Sequence, residues 1–345
     1  MVTYPAMAGS LCDPSLRVDV TTPGWVTAIL VNRNGARWVD VVLPTLFGQS
    51  HPHLDVIVVD NDSSDGSVAA IRSRYPQAQI LELNENAGFS RALNSGIRQA
   101  QGEYILSLNF DVVLEPDFIA ALVQGLAMRP DAGWAAGSMR KLTESGPSEA
   151  IDCNGHYLLR SRYCYGYDPE HPQPSHYERP ADVFGASGCA ALYRRSMLEA
   201  LAIDGEIFDE DLFAYFEDID VDWRAGRQGY RCIYVPEARG AHRRGGSGDG
   251  ISAQIVSLLL SNRFLVMLKN DEPDDVRRDL IPIVRRTLAD IRKYGRSAPR
   301  AVLTAAGRVA RLAPRMLAKR RHIRRTQPRG VSPVKEFRLP TAFLG

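Results

Sequence analysis

Four times between Trp25 and Met128, a short run rich in Val, Ile and Leu stops at a polar turn and gives way to helical spacing. The runs are "WVTAILVNRNG", "LDVIVVDNDSSDGS", "AQILELNENAG" and "GEYILSLNFDVVLEPDF". Between them stand "ARWVDVVLPTLFGQ", with Trp38, Val41, Val42 and Leu46 at helical spacing, then "SVAAIRSRYP", ended by Pro76, and "SRALNSGIRQAQG". "PDFIAALVQGLAM" closes the series. Short apolar runs alternating with helices predict a mostly parallel sheet covered on both faces, a doubly wound, Rossmann-like α/β domain. Ligands of such sheets sit beyond the carboxyl ends of the strands. Here those ends read Asn32-Arg33-Asn34, Asp60-Asn61-Asp62, Asn84-Glu85-Asn86 and Asn109-Phe110-Asp111. Polar turns are common, but these carry carboxylates as well as amides, so they mark a binding edge.

The 345 residues are 45% apolar and 24% charged, enough for one large core or two smaller ones. Five scattered cysteines without C-x-x-C spacing exclude a disulfide framework or zinc site and point to a reducing cytosol. No signal-peptide pattern opens the chain. The longest apolar stretch, Ser252 to Leu268, is too short to span a bilayer and is interrupted by Asn262 and Arg263. Net charge is +2 but lopsided: residues 291–335 hold 14 Lys and Arg and no Asp or Glu, whereas residues 1–290 hold 27 basic and 39 acidic residues. An acidic body with a basic tail that meets something anionic is expected.

Residues 1–24, rich in Pro, Ser, Thr and Gly, read as a loose arm. Residues 25–250 are expected to form the α/β domain. Within it, 141–184 mixes Tyr, Pro and His without a period and reads as a long loop or lid. Residues 251–345 read as a helical, basic C-terminal region.

Several constellations carry chemistry. Asp111 with Asn109, at a strand end, offers oxygens suited to a hard divalent ion that also takes phosphate oxygens. Asp60 is placed to accept from a base N–H or a ribose hydroxyl, while Asp62, Ser63 and Ser64 read as helix caps. Gly88 permits close backbone approach at a helix start, where phosphates bind, and Arg91 adds a charge for a diphosphate. His242, in a Gly-rich loop after a strand, can complete a metal site with Asp111 or donate to a phosphate. "FAYFEDIDVDWRAG" sets Glu217, Asp218, Asp220 and Asp222 on one helix. Asp220 is expected to pair with Arg224 at the surface, and Asp222 to be solvated or capping.

In order along the chain, "ILVNRNG", "VIVVDNDSSDGS", "NAGFSRALNSGI", "LSLNFDV", "GCAALYRRSMLEAL", "FDEDLFAYFEDIDVDWRAGRQGYRCIYVPEA" and "AHRRGGS" resemble the inverting nucleotide-sugar glycosyltransferases of family 2, of GT-A fold. The resemblance is strongest to bacterial rhamnosyltransferase-like members and spans Trp25 to Ser247. It implies base contact by Asp60, with Asn32, Asn34, Asn86, Gly88 and Arg91 around the nucleotide sugar and Asn109 near the ribose. It implies Asp111 as a ligand of Mn or Mg, His242 as a ligand of that metal or of the diphosphate, and Asp218 as catalytic base; Glu217, beside Asp218 at the helix mouth, is read as orienting the acceptor or the donor sugar. Val31 replaces a common tyrosine, and "NFD" replaces "NPD", so the first acid of a D-x-D pair is Asn109.

Such a site moves a sugar from a dTDP- or UDP-sugar, dTDP-rhamnose first, to a hydroxyl of a cell-surface glycan or lipid-linked acceptor. The diphosphate needs positive charge, the acceptor needs a base, and water must be excluded. A processive polysaccharide synthase is disfavoured by missing membrane spans and a missing Q-x-x-R-W. A paired-carboxylate glycosidase leaves the nucleotide-type turns without a purpose. A silent glycan-binding scaffold on the same fold stays open. In the tail, Val302, Ala306, Val309, Leu312 and Met316 lie near helical spacing among arginines, with Pro314 expected to break or kink the helix. That pattern suggests a peripheral hold on the inner face of the cytoplasmic membrane, or packing on the domain or on a second copy. Nucleic acid is excluded because aromatic interleaving is absent.

Overall fold

The computed structural model describes residues 21–167, 177–244, 252–326 and 332–339; the arm up to residue 20 lies outside them. The expected alternation is present: β1 (Thr22–Asn32), α1 (Val39–Phe47), β2 (Leu54–Asn61), α2 (Ser67–Arg74), β3 (Gln79–Leu83), α3 (Phe89–Gln99) and β4 (Gly102–Asn109). Then come β5 (Val112–Leu114), α4 (Phe118–Met128), β6 (Ala132–Thr143), β7 (Gly146–Cys153), β8 (Tyr157–Leu159), β9 (Cys164–Tyr165) and β10 (Ala181–Val183). β11 (Ala190–Arg194), α5 (Arg195–Ala200), α6 (Glu217–Arg227) and β12 (Arg231–His242) follow. The chain continues through α7 (Ala253–Asn270), α8 (Pro273–Arg278), α9 (Leu280–Ser297), α10 (Pro299–Thr326), α11 (Pro333–Glu336) and β13 (Arg338–Leu339). The first strand thus begins at Thr22, inside the segment read as arm.

The main sheet runs β10-β12-β6-β11-β4-β1-β2-β3, with β5 paired to β12 and β7 to β6. β1 is parallel to both neighbours, Ile29 facing Ile57 and Leu30 facing Leu108. β11 is antiparallel to β4 and β6, which makes the sheet mixed there. Alternation along β1 divides the core. Ala28 and Leu30 pack with Val42, Leu46 and Phe118 on one face, while Ile29 packs with Leu93 and Ile97 on the other. The period of two thus becomes two buried layers.

Two expectations about loops and breaks are corrected. The 141–184 segment is not structureless in its described part: it holds the end of β6 and all of β7 to β10, and β8 pairs with β9 and β13. Its Arg162 is fully buried and donates to Asp271 at 2.7 Å and Asp279 at 2.9 Å, which ties the segment to the C-terminal helices. Sequence period misses it because each strand is short and its partner is remote. Pro314 does not end its helix, since α10 runs from Pro299 through to Thr326. A proline inside a helix costs roughly 3 kcal/mol. Burial of Leu312 and Met316 on either side, at about 1.5–3 kcal/mol each, offsets that cost. These two residues share a third cluster with Leu265 and Val266 of α7 and with Phe216, Ile219 and Trp223 at α6.

The tail does meet something anionic, and it lies within the chain. Lys319 contacts Asp209 at 2.5 Å, Asp211 at 3.0 Å and Glu206 at 3.2 Å. Arg315 reaches Asp211 at 2.8 Å, and Arg324 reaches Glu272 at 2.9 Å.

Candidate active site

The carboxyl ends of β1, β2 and β3 form a cradle of amides and hydroxyls. Asn32 is fully buried, and its Nδ2 donates to Asp60 Oδ1 at 2.8 Å, Ser67 Oγ at 2.9 Å and Ser63 Oγ at 3.1 Å. The second Asp60 oxygen accepts from the Ser63 N–H at 3.0 Å. Asn34, at φ +54°, accepts from the Ser64 N–H at 2.9 Å. Ser63 and Ser64 therefore bind the first turn's asparagines and do not cap α2. Asp62 does not cap it either, since the N-cap is Gly66 without a side-chain bond. Asn61, which carries no distinct signal in the sequence, donates to Asn86 at 3.0 Å and accepts from the Ala87 N–H at 2.8 Å. Arg91 lies half-exposed between Glu85 at 2.9 Å and Glu210 at 3.9 Å. Gly88, at φ +83°, is required because a Cβ would lie 2.6 Å from the Phe213 backbone and ring.

The second group gathers around β4, β7 and β12. His242 Nε2 lies 3.3 Å from Asp111 Oδ1, and its Nδ1 lies 2.8 Å from Asp152 Oδ2. Arg244 donates to the other Asp152 oxygen at 2.5 Å. Burial alone would push the His242 imidazolium down; the hydrogen bonds to Asp111 and Asp152 outweigh burial and raise it to about 9. Asp152 is invisible in the sequence, since nothing local relates it to a histidine 90 residues later. Among the described residues no three His, Cys, Asp or Glu side chains are placed to hold a metal. Asp111 and His242 can supply two ligands, with Asp152 fixing the ring by its far nitrogen. A carboxylate and an oriented imidazole suit a divalent ion, which would have to take its other ligands from outside the chain.

The third group is the start of α6. The preceding loop bends through Phe213, Tyr215 and Phe216, with φ of 68°, 68° and 73°, a region costly for bulky residues. Asn262 of α7 holds it there: its Nδ2 donates to the carbonyls of Leu212 at 2.9 Å, Ala214 at 2.9 Å and Tyr215 at 2.7 Å. In the sequence Asn262 is only an interruption in an apolar run. Asp218 then accepts from the Gly188 N–H at 3.0 Å. The next residue, Cys189, accepts at its carbonyl from the Asn109 N–H at 2.8 Å. The Gly188–Cys189 step therefore joins the end of β4 to Asp218. The Tyr215 phenol, just ahead of α6, is raised by burial first, and then by the charges of Glu217 and Asp111. Asp111 and His242 thus lie just past the end of β4, and Asp218 is tied to that same end.

The four acids of α6 are separated by the structure in a way that their spacing does not show. Glu217 is buried, its Oε2 has no hydrogen-bond partner, and burial followed by the Asp218 charge raises it to about 8. Asp220 pairs with Arg224 at 2.9 Å as expected, but both are buried, and Lys269 and Asn270 also bind Asp220 at 2.9 and 2.8 Å. The expected surface link is therefore a core one. Asp222 is neither solvated nor capping. It is fully buried, its Oδ2 lies 2.6 Å from His156 Nδ1, and its Oδ1 accepts from the Ala186 N–H at 3.3 Å. Burial raises Asp222 to about 7 despite the His156 contact. A Cβ on Gly185 would lie 1.8 Å from Asp222 Oδ2, so only glycine fits. The far nitrogen of His156 faces Asp218 Oδ2 at 3.7 Å. His156 gives no sequence signal, because it sits in the segment read as loop.

The mixed sheet, parallel from β4 to β3 and closed by antiparallel β11, has the layout of a GT-A fold. Solved structures agree on the fold. The chain is similar to Staphylococcus aureus TarS residues 1–349 (TM-score 0.55, 16% identity, 88% of this chain and 87% of that one). It is also similar to the Pyrobaculum calidifontis mannosyltransferase PcManGT in complex with GDP-Man and Mn2+ (TM-score 0.52, 19% identity, 90% and 88%). The family model for glycosyl transferase family 2 matches residues 27–202, and the chain belongs to that family. It is 30% identical over 218 residues, 55% of this chain and 67% of the relative, to an N-acetylglucosaminyl-diphospho-decaprenol L-rhamnosyltransferase of Mycobacterium tuberculosis. A poly-beta-1,6-N-acetyl-D-glucosamine synthase of Staphylococcus aureus is 24% identical over 231 residues, 65% of this chain and about half, 51%, of that protein. The chain is a glycosyltransferase, and no helix among its described residues is long and apolar enough to cross a membrane.

Proposed function

We propose that the chain moves a sugar, rhamnose first, from a nucleoside diphosphate donor to a hydroxyl of a glycan or lipid-linked acceptor, with inversion. The observation that carries this is the joining of Asp218 to the end of β4 through Gly188 and Cys189, beside Asp111 and His242. The rhamnosyltransferase relative supports the donor sugar and a polyprenol-linked acceptor. Such an acceptor would bring the enzyme to the cytoplasmic face of a membrane.

In this reading the nucleotide lies over the Asn32–Asp60 cradle, with Asn109 placed to meet the ribose. Asn34, Asn86 and Gly88 shape the turn beside it, and Arg91 can leave Glu85 for a phosphate. Asp111 and His242 would hold Mn or Mg, which supplies positive charge to the departing diphosphate. Asp218, held by the Gly188 N–H, takes the proton of the attacking hydroxyl. Glu217, neutral near pH 7, donates a hydrogen bond to a sugar oxygen. The described strands of the 141–184 segment, β7 to β10, would wall the acceptor side and keep water out.

Asp218→Asn tests the base: transfer is abolished while donor binding, read by thermal shift, persists. Surviving transfer would remove Asp218 from the role. Asp111→Ala should cancel the Mn- or Mg-dependent part of the thermal shift given by a nucleotide sugar. An unchanged shift would sink the ion assignment.

A further inference from the structure

In the α10 stripe expected to meet a membrane, Leu312 and Met316 are buried against α7, Val302 and Val309 are half-buried, and only the small Ala306 is exposed. The stripe left outside is on the preceding helix. Ile281 is 70% exposed, Val284 44%, Leu288 60% and Ile291 46%, and Leu280 beside them is 51% exposed. At about 100° per residue, Ile281, Val284, Leu288 and Ile291 fall within an arc of roughly 80°. Large apolar side chains scattered singly on a surface need no explanation, but a continuous helical row does.

The rotation of α9 is fixed by its inner face. Ile283 and Asp290 are buried, and Asp290 pairs with Arg286 at 3.0 Å and Arg263 at 3.8 Å. Arg263 also donates to Thr287 Oγ1 at 2.8 Å, and the Arg286 guanidinium lies 3.9 Å over the Tyr163 ring. With that side anchored, the apolar row can only face outward. Along one edge of the row run Arg285, Arg292 and Arg296, all exposed and without an acidic partner among the described residues. The only acid on α9 is the buried Asp290. Asp274, just ahead in α8, is already neutralised by Arg277 at 3.0 Å.

We propose that α9 is a lipid-docking helix, which lays this apolar row into the interface of an anionic bilayer with its arginines at the headgroups. Apolar row and cationic rim together match such a surface. A second copy of the chain fits worse, because two α9 faces meeting would bring like-charged rims together with no exposed acid on either helix to neutralise them. The proposal stands on the α9 surface and does not depend on the donor, the ion or Asp218. If the acceptor is lipid-linked, as the functional reading has it, docking brings the site to its substrate.

The test is co-sedimentation of the full chain with vesicles of phosphatidylcholine alone or with about one-third phosphatidylglycerol. Binding is expected to the anionic vesicles and to weaken with salt. The triple change Arg285→Gln, Arg292→Gln and Arg296→Gln should lower it about fivefold per arginine, on the order of 100-fold together. Val284→Glu with Leu288→Glu should abolish it. Both variants should keep the thermal midpoint and the nucleotide-sugar shift of the parent, since the changed side chains are exposed. Equal binding to both vesicle types, no binding, or variants that bind like the parent would overturn the proposal. So would a Val284→Glu, Leu288→Glu variant that only turns an oligomer into a monomer. Loss of the nucleotide-sugar shift in the parent would instead sink the functional reading and leave the vesicle result untouched.

Discussion

Replacing Glu217 with glutamine separates two neighbouring acids by their protonation. The Glu217 carboxyl is buried beside Asp218, and those two causes lift it from 4.5 to about 8. A raised carboxyl favours the folded state while it is protonated. That stability is fully present below pH about 4.5 and is lost as pH rises through about 8. The whole displacement corresponds to at most about 5 kcal/mol, of which about 2–3 kcal/mol falls between about pH 6 and pH 9. Glutamine has the same shape as the protonated acid and cannot ionise. Glu217→Gln should therefore gain about 2–3 kcal/mol on the parent when urea unfolding at about pH 9 is compared with pH 6. Asp222 and His156 titrate in both proteins, so their contributions cancel in the difference. Transfer by Glu217→Gln at about pH 7 should stay within about tenfold of the parent, because a neutral hydrogen-bonding group is retained. Parallel stability curves would mean that Glu217 is ionised in the folded protein. Loss of transfer comparable to Asp218→Asn would mean that the base is Glu217.

Other outcomes follow from the same geometry. Asn262→Ala removes three hydrogen bonds from a loop with positive φ, so unfolding should cost about 2–4 kcal/mol less and kcat should fall more than donor affinity. His156→Gln and Asp222→Asn should each destabilise by about 2–4 kcal/mol, while the double variant should cost less than the sum, as a denaturation cycle will show. Full additivity would deny the pair. Met316→Ala should cost about 2–5 kcal/mol in thermal or urea unfolding, because it empties the joint between α10 and α7.

The strand–helix units and the polar strand ends are legible because they rest on local signals, whereas the joining of Asp111 to His242 is reached only through the family resemblance. A short apolar run and a turn rich in Asn and Asp are each written within a few neighbouring residues, whereas His242, read as a loop residue, is the last residue of β12. The four acids of α6 show where that legibility ends. Spacing alone makes Asp222 a surface acid, because one helical turn says nothing about what packs on its outer side. In the fold, His156, between β7 and β8, and the bare backbone of Gly185 enclose it. Asp152, Asn262 and Lys319 are unreadable for the same reason, since their partners lie 90, 50 and 110 residues away in the chain. The outward apolar stripe likewise lies one helix earlier than spacing in the tail suggests. Spacing read from the sequence marks a stripe on α10 only, and the docking of α10 onto α7 buries its Leu312 and Met316 while the α9 row remains outside. Short-range sterics and hydrophobic period specify elements, whereas burial and charge pairing depend on distances that exist only once the chain has closed on itself.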